Sequence, residues 1–237
     1  MRWETDRLKV EVLFSQGGLA TQILVQAGPI QLLFDAGDGT LRDLLSRGYD
    51  PLKLYGIFLT HGHADHMAGL YGLLGFLRAE GRSEELLVAY PAGACEVETI
   101  LKGFHTCYMG SMPFSIQQAE LVDGDVLRLP GGSVVLARSV RHWHSIQGKP
   151  ISPAPALGYR LSLQGKVIAI TGDSTWCPAL EELVKGADLA LIEASLDEPG
   201  EASEKIHLTL RQARELARLA RNAFLIHRPD GKVLWVD

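Results

Sequence analysis

Residues 58–69, Phe-Leu-Thr-His-Gly-His-Ala-Asp-His-Met-Ala-Gly, constrain this chain more than any other stretch of its sequence. Three histidines and one aspartate lie between His61 and His66, directly after an apolar, strand-length run over 54–60. A helix-length apolar segment over 67–77 follows. The pattern predicts a buried strand, a tight loop and a helix, with four ligand-type side chains at the mouth of the strand.

The composition is that of an ordinary globular protein. The chain has 237 residues, 46% of them hydrophobic and 22% charged, and its formal net charge is −5. These values predict a sizeable core. The chain has no overall excess of positive charge that would favour nonspecific nucleic-acid binding. The cysteines at 95, 107 and 177 are too few and too scattered for a disulfide framework. No stretch is apolar enough to span a bilayer, so we expect a cytoplasmic protein without a membrane partner.

Apolar runs bounded by glycine, proline and aspartate predict strands and helices in two halves that meet near residues 110–120. Strands are predicted over 9–14, 22–26, 30–34, 54–60, 86–90, 115–120, 125–129, 133–140, 158–163, 166–170, 188–192, 223–226 and 232–236. Helices are predicted over 41–46, 67–77, 92–103, 181–185 and 208–220. Residues 104–114 are predicted to form an aromatic loop, and 148–155 a proline-rich loop. We expect one α/β domain over 1–237, with two packed sheets and helices outside.

The ligand-type residues predict a site with two metal ions. His61, His63, Asp65 and His66 cannot all face one cation, but a tight loop can direct alternate side chains to two neighbouring cations. Imidazole and carboxylate together suit zinc, manganese or iron, and two catalytic ions with open positions need about seven protein ligands. The remaining candidates stand where predicted strands end: His142 or His144, Asp173 and His227.

Two choices stay open from the residues alone. His142 and His144 lie on the same side of a strand, so periodicity does not choose between them. The carboxylate of Asp35, at the end of a buried strand, needs polar partners. Capping a helix or loop and supporting a metal ligand are equally open for it.

The segment Thr60-His-Gly-His-Ala-Asp-His66 resembles the signature of the metallo-β-lactamase superfamily. More narrowly, the chain is similar to the RNase Z-type phosphodiesterases over about residues 8–228. The segments that carry this resemblance are Gly17-Gly18-Leu-Ala, Leu33-Phe-Asp-Ala-Gly-Asp-Gly-Thr40, Gly158-Tyr-Arg, Gly172-Asp173-Ser-Thr, Glu193-Ala-Ser, His207-Leu-Thr209 and Leu225-Ile-His227.

The resemblance implies a four-layer αββα sandwich, with two mixed sheets, helices on the outer faces and a dinuclear site, most simply with zinc. It assigns His61, His63 and His144 to one metal and Asp65, His66 and His227 to the other, with Asp173 bridging them. His144 is preferred to His142 because it lies nearer the Gly-Tyr pair. The bridging aspartate separates this chain from true β-lactamases.

The resemblance also implies hydrolysis of a phosphodiester by a hydroxide shared between the two ions. Asp65 would orient that hydroxide as well as bind metal. His207 would protonate the leaving oxygen, and Glu193 would hold its imidazole. Without the resemblance, His207 reads as an N-terminal residue of the following helix.

Two departures from the RNase Z pattern bear on the substrate. The long arm that grips tRNA in those enzymes is replaced by a hairpin-length segment between Tyr159 and Gly172, and Ile192 replaces a family histidine. We therefore expect a small or nucleotide phosphodiester rather than precursor tRNA. The alternatives are a tRNA 3′-end endonuclease whose arm comes from a dimer partner, and an iron-dependent oxidoreductase or thioester hydrolase on the same fold. Homodimers are common among RNase Z proteins, so a homodimer is expected from the resemblance.

Overall fold

A computed structural model describes residues 1–197 and 205–236. The chain divides into two compact units: unit 1 contains 1–14 and 18–120, and unit 2 contains 15–17 and the residues from 121 onward. The boundary after Glu120 falls at the end of the predicted break. There are two mixed seven-stranded sheets in the described residues, each with helices of its own, which confirms the predicted α/β class.

The first sheet has its strands in chain order from β1 to β7. They are β1 (Arg2–Glu4), β2 (Leu8–Gln16), β3 (Ala20–Ala27), β4 (Ile30–Phe34), β5 (Leu54–Phe58), β6 (Leu86–Pro91) and β7 (Ile116–Leu121). The helices of unit 1 are α1 (Thr40–Ser46), α2 (Ala64–Met67), α3 (Leu70–Ala79) and α4 (Cys95–Tyr108), and a 3₁₀ segment covers Pro51–Lys53. Strands β4, β5 and β6 are parallel. Their carboxyl ends therefore share one edge of the sheet, where β4 leads into Asp35 and β5 into Thr60.

The core of unit 1 follows from the periodicity of its helices. Four leucines of α3, at 70, 73, 74 and 77, are fully buried and lie in one cluster with apolar residues of β4, β5 and β6. Their spacing of three and four residues places them on one face of the helix, and the parallel strands are apolar in nearly continuous runs. This packing fixes the strand ends from which the histidine loop departs.

The second sheet has the order β16-β15-β14-β13-β12-β9-β8. Its strands are β8 (Val126–Arg128), β9 (Val134–Ser139), β12 (Leu157–Leu163), β13 (Lys166–Ile170), β14 (Leu189–Glu193), β15 (Ala223–Ile226) and β16 (Leu234–Val236). A separate hairpin pairs β10 (His142–Ile146) with β11 (Lys149–Ala154), a 3₁₀ segment covers Pro130–Gly132, and the helices are α5 (Pro178–Val184) and α6 (Leu210–Ala217). Strands β13, β14 and β15 are parallel, so Asp173, Glu193 and His227 leave the sheet at the same edge.

Helix α6 is shorter than the predicted helix over 208–220. The side chain of Thr209 accepts a hydrogen bond from the amide of Gln212 at 3.2 Å, and Gln212 Oε1 accepts one from the amide of Thr209 at 2.9 Å. This reciprocal capping box starts the helix at Leu210. His207 therefore lies in the loop ahead of the helix.

Two loop predictions were wrong. Residues Phe104 to Tyr108 belong to α4, because the buried Phe104 continues the helix face of Val97 and Leu101. Residues 149–154 form strand β11, although the segment contains Pro150 and Pro153. The prolines are tolerated because β11 pairs on one side only, with β10. No helix in the described part of the chain is both long and apolar enough to cross a bilayer.

Candidate metal centre

The histidine loop of unit 1 packs its imidazoles tightly at the end of β5. His61 and His66 are almost completely buried, and their ring centroids lie 4.1 Å apart. The ring of His63 meets that of His61 edge-on at 4.6 Å. Asp65 Oδ2 lies 3.9 Å from His66 Nε2 and accepts a hydrogen bond from the amide of Gly18 at 2.9 Å. The structure thus brings together all four predicted ligands of this loop.

The buried side chain of Asp35 contacts both the start of this loop and one of its histidines. Its carboxylate accepts hydrogen bonds from the amide and the hydroxyl of Thr60, at 2.8 and 3.0 Å, and lies 2.7 Å from His66 Nδ1. The contact with Nδ1 orients the ring so that Nε2 faces Asp65. Helix α1 is capped by Gly39, without a side-chain hydrogen bond to the cap. Both roles that were open for Asp35 are therefore present: its carboxylate caps the facing loop at Thr60 and contacts the candidate ligand His66.

Asp35→Asn is expected to weaken metal binding by roughly 10- to 100-fold, because an amide no longer fixes the tautomer of His66. Asparagine tolerates the left-handed backbone at this position, where φ is 58°. Titration of the purified variant with zinc against a competing chelator measures the effect. Asp38→Asn, an exposed change near the end of the same strand, should leave the affinity unchanged. Equal affinities for the two variants would contradict the role of Asp35.

Close backbone packing holds the loop against the end of β4. The amide of Ala36 donates to the carbonyl oxygen of His66 at 2.7 Å. The amide of Gly69 donates to the carbonyl oxygen of Ala36 at 2.8 Å. A Cβ atom on Gly37 would collide with the carbonyl oxygen of Asp65 and lie 2.8 Å from the amide nitrogen of Thr21. Glycine is therefore required at position 37 for the loop to approach the strand.

Gly37→Ala is expected to destabilise the protein by about 2–3 kcal/mol, because the new methyl group meets backbone on two sides. Gly75→Ala is the matched control, since a Cβ there has no heavy atom within 4 Å. Located within α3, the control should stabilise the protein by up to about 1 kcal/mol. Urea unfolding curves of the two variants measure both changes, and equal midpoints would contradict the packing.

Unit 2 carries a second cluster at the shared edge of β13, β14 and β15. The buried carboxylate of Asp173 places Oδ2 3.4 Å from His227 Nε2 and 3.8 Å from His207 Nδ1. Two triads have ligand atoms that all lie within 4.8 Å of one another: His142, Asp173 and His207; and Glu193, His207 and His227. These imidazole and carboxylate donors fit a divalent transition metal, and no cysteine is among them.

Glu193 is the hydrogen-bonding centre of this cluster. Its buried carboxylate accepts from the amides of Ser174, Ser195 and Leu208 at 3.1, 2.9 and 3.0 Å. It also lies 3.1 Å from His207 Nδ1, so the predicted contact between Glu193 and His207 is present. Because Glu193 engages Nδ1, Nε2 is the ring nitrogen of His207 that can transfer a proton.

Three residues around His227 have a role that sequence reasoning missed. Ser195 Oγ lies 2.8 Å from His227 Nδ1 and donates to Glu193 at 2.8 Å. Ser15 Oγ accepts from the amide of His227 at 2.8 Å, and a Cβ on Gly17 would lie 3.3 Å from the imidazole. The Gly-Gly and Glu-Ala-Ser motifs contained two of these residues, but the partner of each is far away in the sequence.

The structure favours His142 over His144. His142 is buried, with Nδ1 3.1 Å from the carbonyl oxygen of Ile206, and it belongs to the triad with Asp173 and His207. His144 is partly exposed, next to a register shift between His144 and Ser145, and joins no such triad among the described residues. The β10–β11 hairpin adds length before Gly158, so nearness to the Gly-Tyr pair does not choose between the two histidines. His142 therefore replaces His144 in the proposal below.

Comparison with known proteins agrees with this fold. The family described as "Beta-lactamase superfamily domain" matches residues 30–227. Ribonuclease BN of Escherichia coli is 33% identical over 82% of this chain and 76% of its own. Among solved structures, the short form of human tRNase Z has a TM-score of 0.77 at 24% identity, over 92% of both chains. Zn²⁺-bound PqqB from Methylobacterium extorquens has a TM-score of 0.70 at 16% identity, over 92% of this chain and 88% of that one.

The chain therefore belongs to the metallo-β-lactamase superfamily, and RNase Z and RNase BN are its distant homologues. It is an RNase Z-like hydrolase of that fold, with buried histidine and aspartate clusters that fit a metal site.

Proposed function

We propose that the protein is a dinuclear metal phosphodiesterase that acts on small or nucleotide phosphodiesters. The observation that carries the proposal is the buried Asp173, whose carboxylate lies within 4 Å of two imidazoles. A buried carboxylate among histidines at a sheet edge is costly unless a cation or a hydrogen-bond network compensates it. The family pattern places the bridging ligand of a phosphodiesterase at this position.

By the family pattern, His61, His63 and His142 would hold one cation and Asp65, His66 and His227 the other, and Asp173 would contribute to both. When bound, divalent cations would neutralise charge on the phosphate and lower the pKa of a bound water. Asp65 accepts a hydrogen bond from the attacking water and orients it. His207 donates its Nε2 proton to the leaving oxygen, and Glu193 holds the imidazole in the orientation for that transfer.

The length of the β12–β13 connection supports a small substrate. The two strands are joined by Gln164 and Gly165 alone, both at positive φ, as in a tight hairpin turn. The arm that grips tRNA in RNase Z enzymes would start at this connection. The net charge of −5 also disfavours a large polyanionic substrate.

Turnover of bis(p-nitrophenyl) phosphate by the purified chain with added zinc, manganese or iron tests the proposal. Hydrolysis of the diester should exceed that of p-nitrophenyl phosphate, a monoester with the same leaving group. No hydrolysis of the diester with any of the three metals would contradict the assignment.

His207→Ala is expected to slow hydrolysis of a methyl p-nitrophenyl diester little when p-nitrophenolate leaves, because that group departs without a proton. Release of an alkoxide from a dialkyl or nucleoside diester should fall about 100-fold or more. Rates for the two leaving-group classes, measured on one preparation, check the difference. An equal loss for both classes would assign His207 to metal binding or folding instead.

A second candidate function is tRNA 3′-end processing. It is favoured by the relatives named Ribonuclease Z and Ribonuclease BN, which align with more than three quarters of the chain. Cleavage of a precursor tRNA at the discriminator position, assayed beside the small diester, decides between the two substrates.

A further inference from the structure

The hydroxyl of Ser195 joins two groups of the unit 2 cluster that have separate parts in the proposed mechanism. The amide and the hydroxyl of this buried residue both donate to Glu193 Oε2, at 2.9 and 2.8 Å, and Oγ lies 2.8 Å from His227 Nδ1. The other oxygen of the same carboxylate, Oε1, lies 3.1 Å from His207 Nδ1. Glu193 therefore contacts His207 directly and His227 through one hydroxyl.

The direction of these hydrogen bonds determines which nitrogen of His227 carries the ring proton. A hydroxyl has a single proton, and that of Ser195 is donated to Glu193. Its oxygen can then only accept from His227, so Nδ1 carries the proton and Nε2 carries the lone pair. His227 Nε2 lies 3.4 Å from Asp173 Oδ2. Two electron-pair donors thus lie side by side, as the ligands of one cation do.

Unit 1 contains the same arrangement around the buried Thr60. The amide and the hydroxyl of this residue donate to Asp35 Oδ1 at 2.8 and 3.0 Å, and the hydroxyl oxygen lies 3.1 Å from His61 Nδ1. In each unit, a carboxylate accepts a hydrogen bond from a hydroxyl, and that hydroxyl contacts Nδ1 of a candidate ligand. The family pattern assigns these two histidines to different cations. The recurrence therefore indicates a role in orienting ligands rather than a feature of one local fold.

We propose that Ser195 and Thr60 are positioning residues, each for a different metal ion. Ser195 fixes the imidazole of His227 with its proton on Nδ1, so that Nε2 is offered to a cation. Thr60 has the same effect on His61. The proposal rests on the dinuclear centre of the proposed function and adds the residues that control each ion. Loss of one hydroxyl weakens one ion, whereas loss of the shared ligand Asp173 weakens both.

Competition with a chromophoric chelator measures the zinc affinities of the full chain. Ser195→Ala is expected to lower one of the two affinities about 10- to 100-fold and to leave the other unchanged, and Thr60→Val should lower the other one. Cadmium NMR of the cadmium-loaded variants, in which each ion gives its own resonance, identifies the ion affected. Ser195→Thr keeps the hydroxyl and should bind both ions as the native chain does.

Ser133→Ala is the matched control. Ser133 is also a buried serine of unit 2, and its hydroxyl has no hydrogen-bond partner among the residues that the structure describes. Its removal should leave both affinities unchanged. Proton NMR of the zinc-loaded chain adds a readout that a change in stability alone would not move. The Nδ1 proton of His227 should exchange slowly in the native chain and in Ser195→Thr, and too fast for detection in Ser195→Ala.

Native affinities for both ions in Ser195→Ala, an equal loss in Ser133→Ala, or loss of the same ion in Ser195→Ala and Thr60→Val would overturn the proposal. Hydrolysis of bis(p-nitrophenyl) phosphate beside any of these results would leave the proposed function intact. Zinc affinities that depend separately on the two hydroxyls, in a chain that hydrolyses no diester, would support the positioning role and remove the phosphodiesterase function.

Discussion

Asp173→Asn is expected to lower turnover of bis(p-nitrophenyl) phosphate by at least about 1,000-fold, because the amide lacks the charge to hold two cations. The side chain leaves the carboxyl end of β13 and lies against both His207 and His227. Metal content, measured by plasma emission after gel filtration, should fall from two ions per chain to one or fewer. Folding should persist, since asparagine has nearly the same shape.

Asp188→Asn is the matched control for this substitution. Asp188 is also a buried carboxylate of unit 2, but it stands at the opposite end of β14, where it pairs with Lys166 at 3.1 Å. The control should keep both metal ions and nearly all activity. If Asp173→Asn kept two ions and native turnover, the dinuclear assignment would be wrong.

Glu193→Ala is expected to destabilise the protein by roughly 3–5 kcal/mol. The substitution leaves the amides of Ser174, Ser195 and Leu208 without their buried acceptor, and each such orphan costs about 1–3 kcal/mol, partly offset by entering water. The loop that carries His207 loses its anchor at the same time. Guanidinium unfolding of the metal-free protein measures the loss directly.

Glu182→Ala provides the comparison for a surface carboxylate of the same unit. Glu182 is about half exposed and pairs with Arg138, so its loss should change stability by no more than about 0.5–1 kcal/mol. Equal unfolding midpoints for the two alanine variants would show that Glu193 is not the anchor of the loop.

The interior strands could be predicted from the sequence because buried strands are continuous apolar runs. The predicted bounds of Ile30–Phe34, Lys166–Ile170 and Ala223–Ile226 agree with β4, β13 and β15. These strands are apolar runs ended by polar or turn residues. Strands β1 and β11 were missed because exposed strands carry charged residues or proline and have no apolar periodicity. Their pairing is decided by partners that local sequence does not show.

The site was predictable to the extent that its residues are dense or follow strand ends. The histidine loop concentrates four candidate ligands, and Asp173 and His227 follow apolar strands. The choice of His142 was not predictable, because both histidines share a strand face and only burial beside Ile206 separates them. Ser15 and Ser195 were missed because their role depends on contact with His227, which is far from both of them in the sequence or in the motif that contains them.

By itself, the order of residues determined the fold class, the sheet edges where chemistry is possible and the kinds of atoms available there. These properties follow from local periodicity and from the chemistry of single side chains. Only the tertiary structure decided which nitrogen of His66 faces Asp65 and which residues contact His227. Such details depend on distances between segments that are remote in sequence, and packing of the whole chain sets those distances.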